Sequence, residues 1–355
     1  MYEFASRLDP DSYLRLATAV FAEMALSGFT VAGEFHYLHH QPGGHPYAEP
    51  NAMSDALVEA ARAAGLRLTL LDSCYFQGGI GQELEPRQRR FADDGSEAWA
   101  ERHFLLKETS GVRVGTAIHS IRAVPRDALS FIARAAQGQP LHVHLSEQVA
   151  ENEQSFAAYG MSPTTVFAEE GVLNSDVTAV HAIHLEQVDI ETLANHGVRA
   201  CACPSTEADL GDGIGPFSTL AQHGVTLALG TDQHVHIDPF LEVQRLELDQ
   251  RLSTGQRSVF SSENLVNALT SNGYRSLGWD TGGAIAVNGL CDLTSIKTNS
   301  PRTAGVPLAA AVMAASAADV ENVIVGGRPI VTNGEHYLGD ISQLLTEAID
   351  SLLQS

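Results

Sequence analysis

A chain of 355 residues, 44% of them apolar, can bury one large α/β core with a small appendage, and its composition gives no sign of disorder. Its 43 acidic against 21 basic residues set a formal net charge of −22. That balance argues against a nucleic acid or an anionic membrane as partner, while one or two well-placed arginines could still hold a small anionic substrate.

In chain order, Asp9-Pro10 opens a helix that Gly28 stops, and Phe29 to Phe35 is the first strand, running into His36-Tyr37-Leu38-His39-His40. A helix from near Pro50 to Gly65 precedes a strand in Leu66 to Phe76 and a polar loop through Gln88-Arg89-Arg90-Phe91. A helical stretch from Ser96 to Lys107 leads to the strand Val112 to His119, and a helix opens at Pro125. The strand from Leu141 follows, then a helical segment from Gln148 to Gly171 broken by Gly160 and Pro163. Val177 to Leu185, Val198 to Cys203 and Val225 to Gly230 are further strands, separated by helices at Glu186–Ala194 and Phe217–His223 and followed by one at Asp238-Pro239. Strands alternating with helices in this way make βαβ units and a parallel sheet.

Seven such units follow an opening helix that has no strand before it, one strand short of a closed (β/α)8 barrel. An open doubly wound sheet is the competing arrangement. The barrel is preferred because polar residues sit at nearly every strand end and not at one switch point. After Gly282, Ile285-Ala286-Val287, the run from Leu290 to Ile296 and the run from Val323 to Val331 read as short strands, with a terminal helix from Ile341. The expected division is a barrel domain over residues 1–282 and a small β subdomain over 283–355.

The chemistry concentrates in three strand ends: His142-Val143-His144-Leu145-Ser146-Glu147, Val180-His181-Ala182-Ile183-His184, and Gly230-Thr231-Asp232-Gln233-His234. His144 and Asp232 offer an imidazole nitrogen and a carboxylate oxygen, which suit zinc, and Glu147 is the natural carboxylate to move protons beside a metal. Two protein ligands are fewer than the three that a catalytic zinc normally takes. His142 lies one pleat deeper than His144 and is expected to be a packed, hydrogen-bonded residue. Cys74, Cys201, Cys203 and Cys291 have neither disulfide-framework nor zinc-ribbon spacing; Cys201 and Cys203 share a strand face and read as buried small hydrophobes. Met1-Tyr2-Glu3-Phe4-Ala5-Ser6-Arg7 lacks a signal-peptide apolar stretch, and no apolar run nears the roughly 18 residues of a membrane span, so a cytoplasmic protein is expected.

From Leu8 to Leu252 the chain resembles the amidohydrolase superfamily, and within it the formimidoylglutamate deiminases of histidine degradation. The runs that carry the resemblance are Gly33-Glu34-Phe35-His36-Tyr37-Leu38-His39-His40, Gln88-Arg89-Arg90-Phe91, His119-Ser120-Ile121-Arg122-Ala123-Val124 and the three strand ends above. Pro204-Ser205-Thr206-Glu207-Ala208-Asp209-Leu210-Gly211-Asp212-Gly213-Ile214 completes them. The resemblance implies that His144 and Asp232 bind one zinc per chain and that Asp232 also takes a proton from the attacking water. Glu147 would carry a proton to the substrate nitrogen, and His181, not a ligand in this branch, would orient the water. His119 would contact the formimino group, while Arg122 and Tyr37 hold glutamate carboxylates. The implied reaction converts N-formimino-L-glutamate to N-formyl-L-glutamate and ammonia.

His36, His39 and His40 are then expected to pack the substrate loop and not to bind metal. Glu207 and Asp209 are equally readable as pocket-lining or solvated. The resemblance also implies a His-x-His pair supplying two more zinc ligands and a strand-rich segment, neither of which precedes Asp9. The expectation is an N-terminally truncated chain with a barrel lacking its first strand, poor stability and impaired zinc binding. A deaminase of a heterocyclic substrate, or a catalytically inactive fragment or pseudoenzyme, are the alternatives. The expected partners are a small-molecule substrate and a second copy of the chain in a homodimer, with no nucleic acid and no membrane.

Overall fold

The computed structural model describes residues 2–354. Seven parallel strands form one curled sheet in which every strand lies beside its neighbours in sequence. They are β1 (Val31–His36), β2 (Arg67–Cys74), β3 (Val112–Ile118), β4 (Leu141–Leu145), β5 (Val177–His181), β6 (Arg199–Ala202) and β7 (Leu227–Leu229). Helices cover the convex face, as the alternation of strand and helix requires. A closed barrel of this type takes eight strands. Here, among the described residues, β1 and β7 are the two edges.

Side-chain alternation separates two environments. On β4, Val143 and Leu145 are fully buried against the helical layer, and on β6 Ala200 and Ala202 join the same core. His142, His144 and Cys201 occupy the alternate positions and therefore project to the concave side. A core of Leu129, Ile132, Val166, Phe167, Leu193 and Leu220 fills the convex side.

The N-terminal end of the sheet is floored by a segment that the sequence did not reveal as helical. Ser262–Leu269 and Ser271–Ser276 are short helices, and the turn after them carries Leu277 and Trp279. Tyr274 Oη lies 2.6 Å from Thr30 Oγ1, just before β1. Thr69 on β2 donates to the Leu277 carbonyl and accepts from Trp279 Nε1. His142 on β4 lies 2.8 Å from the Ser276 carbonyl through Nε2, the packed role expected for it. Asn272 donates to the Leu227 carbonyl on β7. One segment thus ties β1, β2, β4 and β7 together across the floor.

A second, antiparallel sheet has the order β11-β10-β9-β8, built from β8 (Leu293–Ile296), β9 (Val320–Val325), β10 (Arg328–Thr332) and β11 (Glu335–His336). The single run expected over Val323 to Val331 is in fact a hairpin, turned at Gly326 and Gly327, both with positive φ. The strand expected at Ile285-Ala286-Val287 does not form. Those residues lie in a loop with Ile285 and Val287 each 93% exposed, and a strand without a pairing partner has no source of stability. Pro204–Leu210, expected to be loop, is a helix started by Pro204 and ended by Gly211 in the left-handed conformation. No helix among the described residues is long and apolar enough to cross a membrane.

Candidate active site

The C-terminal ends of β3, β4, β5 and β7 converge on the concave side, and their backbones are strained there. Ser146, His181, Ala182 and Asp232 all have positive φ, between 48° and 69°. Such conformations cost about 1–3 kcal/mol each in non-glycine residues and persist where the surroundings over-determine them. They also explain why β5 stops at His181 and not at Leu185: the chain turns left-handed at His181 and Ala182.

His144, His181 and Asp232 bring ligand atoms within 4.8 Å of one another. Both rings are aimed by their outer nitrogens. His144 Nδ1 lies 2.8 Å from the His119 carbonyl, which can only accept, so Nδ1 carries the proton and Nε2 has a free lone pair. His181 Nδ1 lies 3.4 Å from a Glu207 carboxylate oxygen, and its buried Nε2 has no hydrogen-bond partner. Two imidazole nitrogens and one carboxylate oxygen form a donor set that fits a borderline divalent cation. The rings of His144 and His181 are nearly parallel, 5.5 Å apart.

Glu207 was the residue the sequence left undecided. It is only 4% exposed, and the same oxygen that faces His181 accepts from the backbone N–H of Cys203 at 2.8 Å. Its helix is held in turn: Ser205 N–H donates to buried Glu242 at 3.0 Å. Thr206 Oγ1 donates to the Thr231 carbonyl and accepts from Gln233 N–H, fixing the loop that presents Asp232. Asp209 is exposed and accepts from Gln233. The signal available in sequence was the proline at the first helical position followed by a glycine seven residues later.

The electrostatics separate the groups. Burial disfavours the charged His181 ring, but Glu207, Glu147 and Asp232 outweigh it and push the pKa up to about 9. His144 is held below the ordinary histidine range by burial and by the neighbouring His181. Burial pushes the Glu147 carboxyl up, yet His181, His144 and Arg122 together hold it below its usual value, so it is ionised at neutral pH. Glu147 lies 3.8 Å from His181 Nε2, and Arg122 donates to its other oxygen at 2.9 Å.

His119 and Tyr37 meet on the opposite side of this cluster. The His119 ring lies 5.2 Å from that of Tyr37, 4.8 Å from that of Tyr75 and 5.1 Å from that of His144. Phe35 on β1 packs its ring 4.2 Å from His144. Burial, then His144 and Arg122, keep His119 well below the ordinary histidine pKa, so it is neutral. Tyr75 and Phe35 were not singled out in the sequence, because aromatic residues in apolar runs read as core. All of Tyr37, His119, Arg122, His144, Glu147, His181 and Asp232 therefore belong to one strand-end region.

His36, His39 and His40 lie apart from the donor set. His39 lies 3.8 Å from Asp72 and His40 3.1 Å from Asp93, and Arg102 bonds both aspartates. His39 and His40 belong to a buried ionic network beneath the β1 loop, and His36 packs its ring on Tyr13 and His39.

Comparison with known proteins bears on the family and the fold. The profile described as Amidohydrolase family matches residues 4–330. Formimidoylglutamate deiminase of Pseudomonas aeruginosa is 34% identical over 352 residues, covering 95% of this chain and 77% of that protein. The crystal structure of an amidohydrolase from Brucella melitensis superposes with a TM-score of 0.92 at 31% identity, over 99% of this chain and 81% of that one. That of an adenosine deaminase from Xanthomonas campestris with bound zinc has a TM-score of 0.83 at 22% identity, covering 98% of this chain and 77% of that one, and shows the shared fold.

Proposed function

The chain belongs to the amidohydrolase family of hydrolytic enzymes acting on C–N bonds, and from that premise we propose that its substrate is N-formimino-L-glutamate, hydrolysed to N-formyl-L-glutamate and ammonia as a step of histidine degradation. The observation that carries this reading is Arg122. It places a guanidinium 2.9 Å from the candidate acid–base Glu147 and leaves it partly exposed. A guanidinium fork there suits a substrate carboxylate, whereas a neutral heterocycle has no group for it.

Zinc is the metal we propose, held by His144 and Asp232 with His181 Nε2 facing the same point; the similar fold from Xanthomonas campestris holds zinc. The resemblance implies two further histidine ligands beside His144 and Asp232. When bound, the ion supplies Lewis acidity at the reacting centre.

The remaining roles fall to side chains of this chain. Asp232 accepts a proton from the attacking water, and Glu147, ionised at neutral pH, takes it on to the leaving nitrogen so that ammonia departs. His181, charged and fixed by Glu207, donates from Nε2 to orient the attacking water and the developing oxyanion. Neutral His119 hydrogen-bonds the formimino group, and Tyr37 joins Arg122 at the carboxylate end.

The test is ammonia release from N-formimino-L-glutamate against adenosine, with Arg122→Met alongside. Release from the first only, lost in the variant, supports the reading. Turnover of adenosine that Arg122→Met leaves intact would replace it with a heterocycle deaminase.

A further inference from the structure

The concave side carries a second donor set, which shares His181 and Glu207 with the proposed chemistry and adds a thiol that chemistry does not use. Cys203 Sγ, a Glu207 carboxylate oxygen and a His181 ring nitrogen lie within 4.8 Å of one another, and all three residues are buried. The ring nitrogen facing Glu207 is Nδ1, on the opposite side of the imidazole from the Nε2 that lies 3.8 Å from Glu147.

Cys201 extends the set. It lies on β6, two residues before Cys203, which follows the end of that strand, and beside the three donors that approach within 4.8 Å of one another. Both lean into the space above Gly230: a Cβ there would lie 3.1 Å from Cys203 Sγ and 3.3 Å from Cys201 Sγ. Gly230 thus leaves room that any side chain would fill. Cys201 is half-buried, which gives the group an approach from the lumen.

We propose that Cys201, Cys203, Glu207 and His181 Nδ1 form a binding site for a thiophilic divalent cation, such as Cd2+ or excess Zn2+. Two sulfurs, one imidazole nitrogen and one carboxylate oxygen make a four-donor set of the softness that selects such ions, and four ligands close a tetrahedral site. The cation displaces the His181 Nδ1 proton and both thiol protons, three protons in all, to solvent. A neutral imidazole keeps one ring proton, so filling this site withdraws His181 from the set formed with His144 and Asp232. The site is therefore inhibitory. That consequence rests on the proposed function, whereas occupancy of the thiol site does not.

The experiment is Cd2+ titration of the reduced, metal-stripped full chain in a Cys291→Ser background, which removes the exposed thiol. The ultraviolet thiolate-to-Cd2+ charge-transfer band reports ligation independently of activity. We expect one Cd2+ per chain with this band, and its loss in Cys203→Ser. Removing an outer-shell group of a metal site already costs roughly tenfold in affinity, so loss of a thiolate ligand should cost more. Glu207→Gln keeps both thiols and should retain the band while weakening Cd2+ by about tenfold or more. No band at stoichiometric Cd2+, a full-strength band in Cys203→Ser, or unchanged affinity in Glu207→Gln with a native circular-dichroism spectrum would each overturn the assignment.

Discussion

Two side chains decide whether the strand-end region is catalytic. Glu147 is ionised and within reach of both His181 and Arg122, so Glu147→Gln removes proton transfer while preserving shape. The expected outcome is a fall in kcat of roughly 10²- to 10⁴-fold with the bound-metal content unchanged, read by ammonia release and metal analysis of the same sample. In the proposed reaction Arg122 is the recognition group. Losing a hydrogen bond to a charged partner costs about 1.5–3 kcal/mol, so Arg122→Met should lower kcat/KM for N-formimino-L-glutamate roughly 10- to 150-fold, with KM taking most of the change. At this scale much was legible in the sequence. His144, Glu147, His181 and Asp232 announce themselves as polar residues ending apolar runs. Glu207 did not, because what makes it functional is a contact with His181 from a different strand, and no local pattern encodes that.

At the scale of elements, the loop after β1 is seated on charge. Burial raises the Asp72 carboxyl, but Arg102 and His103 more than offset it and hold it well below the usual range. Asp93 is likewise raised by burial and lowered further by His40 and Arg102. A carboxylate whose folded pKa lies below its unfolded value of about 3.9 adds stability above that value and loses it as pH falls toward the folded one. Urea melts should therefore show stability dropping from about pH 5 downward. Arg102→Ala should cost about 3–5 kcal/mol at neutral pH, because two buried carboxylates lose their partner, and should flatten that acid limb. An unchanged acid limb in the variant would remove the network from the account. The strands and most helices were readable from alternation and from Pro and Gly signals. The Ile285-Ala286-Val287 strand was not borne out, since alternation reports a preference and pairing supplies the energy. The floor helices at Ser262–Leu269 and Ser271–Ser276 went unread because they are short and their serines, asparagines and one glycine suit turns equally well.

For the molecule as a whole, the joint between the two sheets is as telling as the site. Asp292, just before β8, has a side chain only 1% exposed and accepts from Arg67 at 2.6 and 3.2 Å, from Tyr274 Oη at 2.9 Å and from Gly326 N–H. Arg67 begins β2 and stacks over Trp279, which Arg113 of β3 covers from 4.8 Å. Floor, barrel strands and small sheet thus meet at one buried ion pair. Asp292→Ala leaves Arg67 unpaired there and should cost about 3–5 kcal/mol, seen as a lower denaturation midpoint with loss of the small sheet first in hydrogen exchange. The division into two sheets was visible from composition, while this joint, built from residues more than 200 apart, was not.

The central claim is that the strand-end region acts on an anionic formimino substrate with a metal held by His144 and Asp232. Its most direct test measures ammonia released from N-formimino-L-glutamate by the zinc-supplied chain and by its Asp232→Asn variant, with bound zinc determined in both. The account predicts zinc-dependent release that falls with zinc content in the variant. Equal release and equal zinc in both proteins, or release only from adenosine, would contradict it.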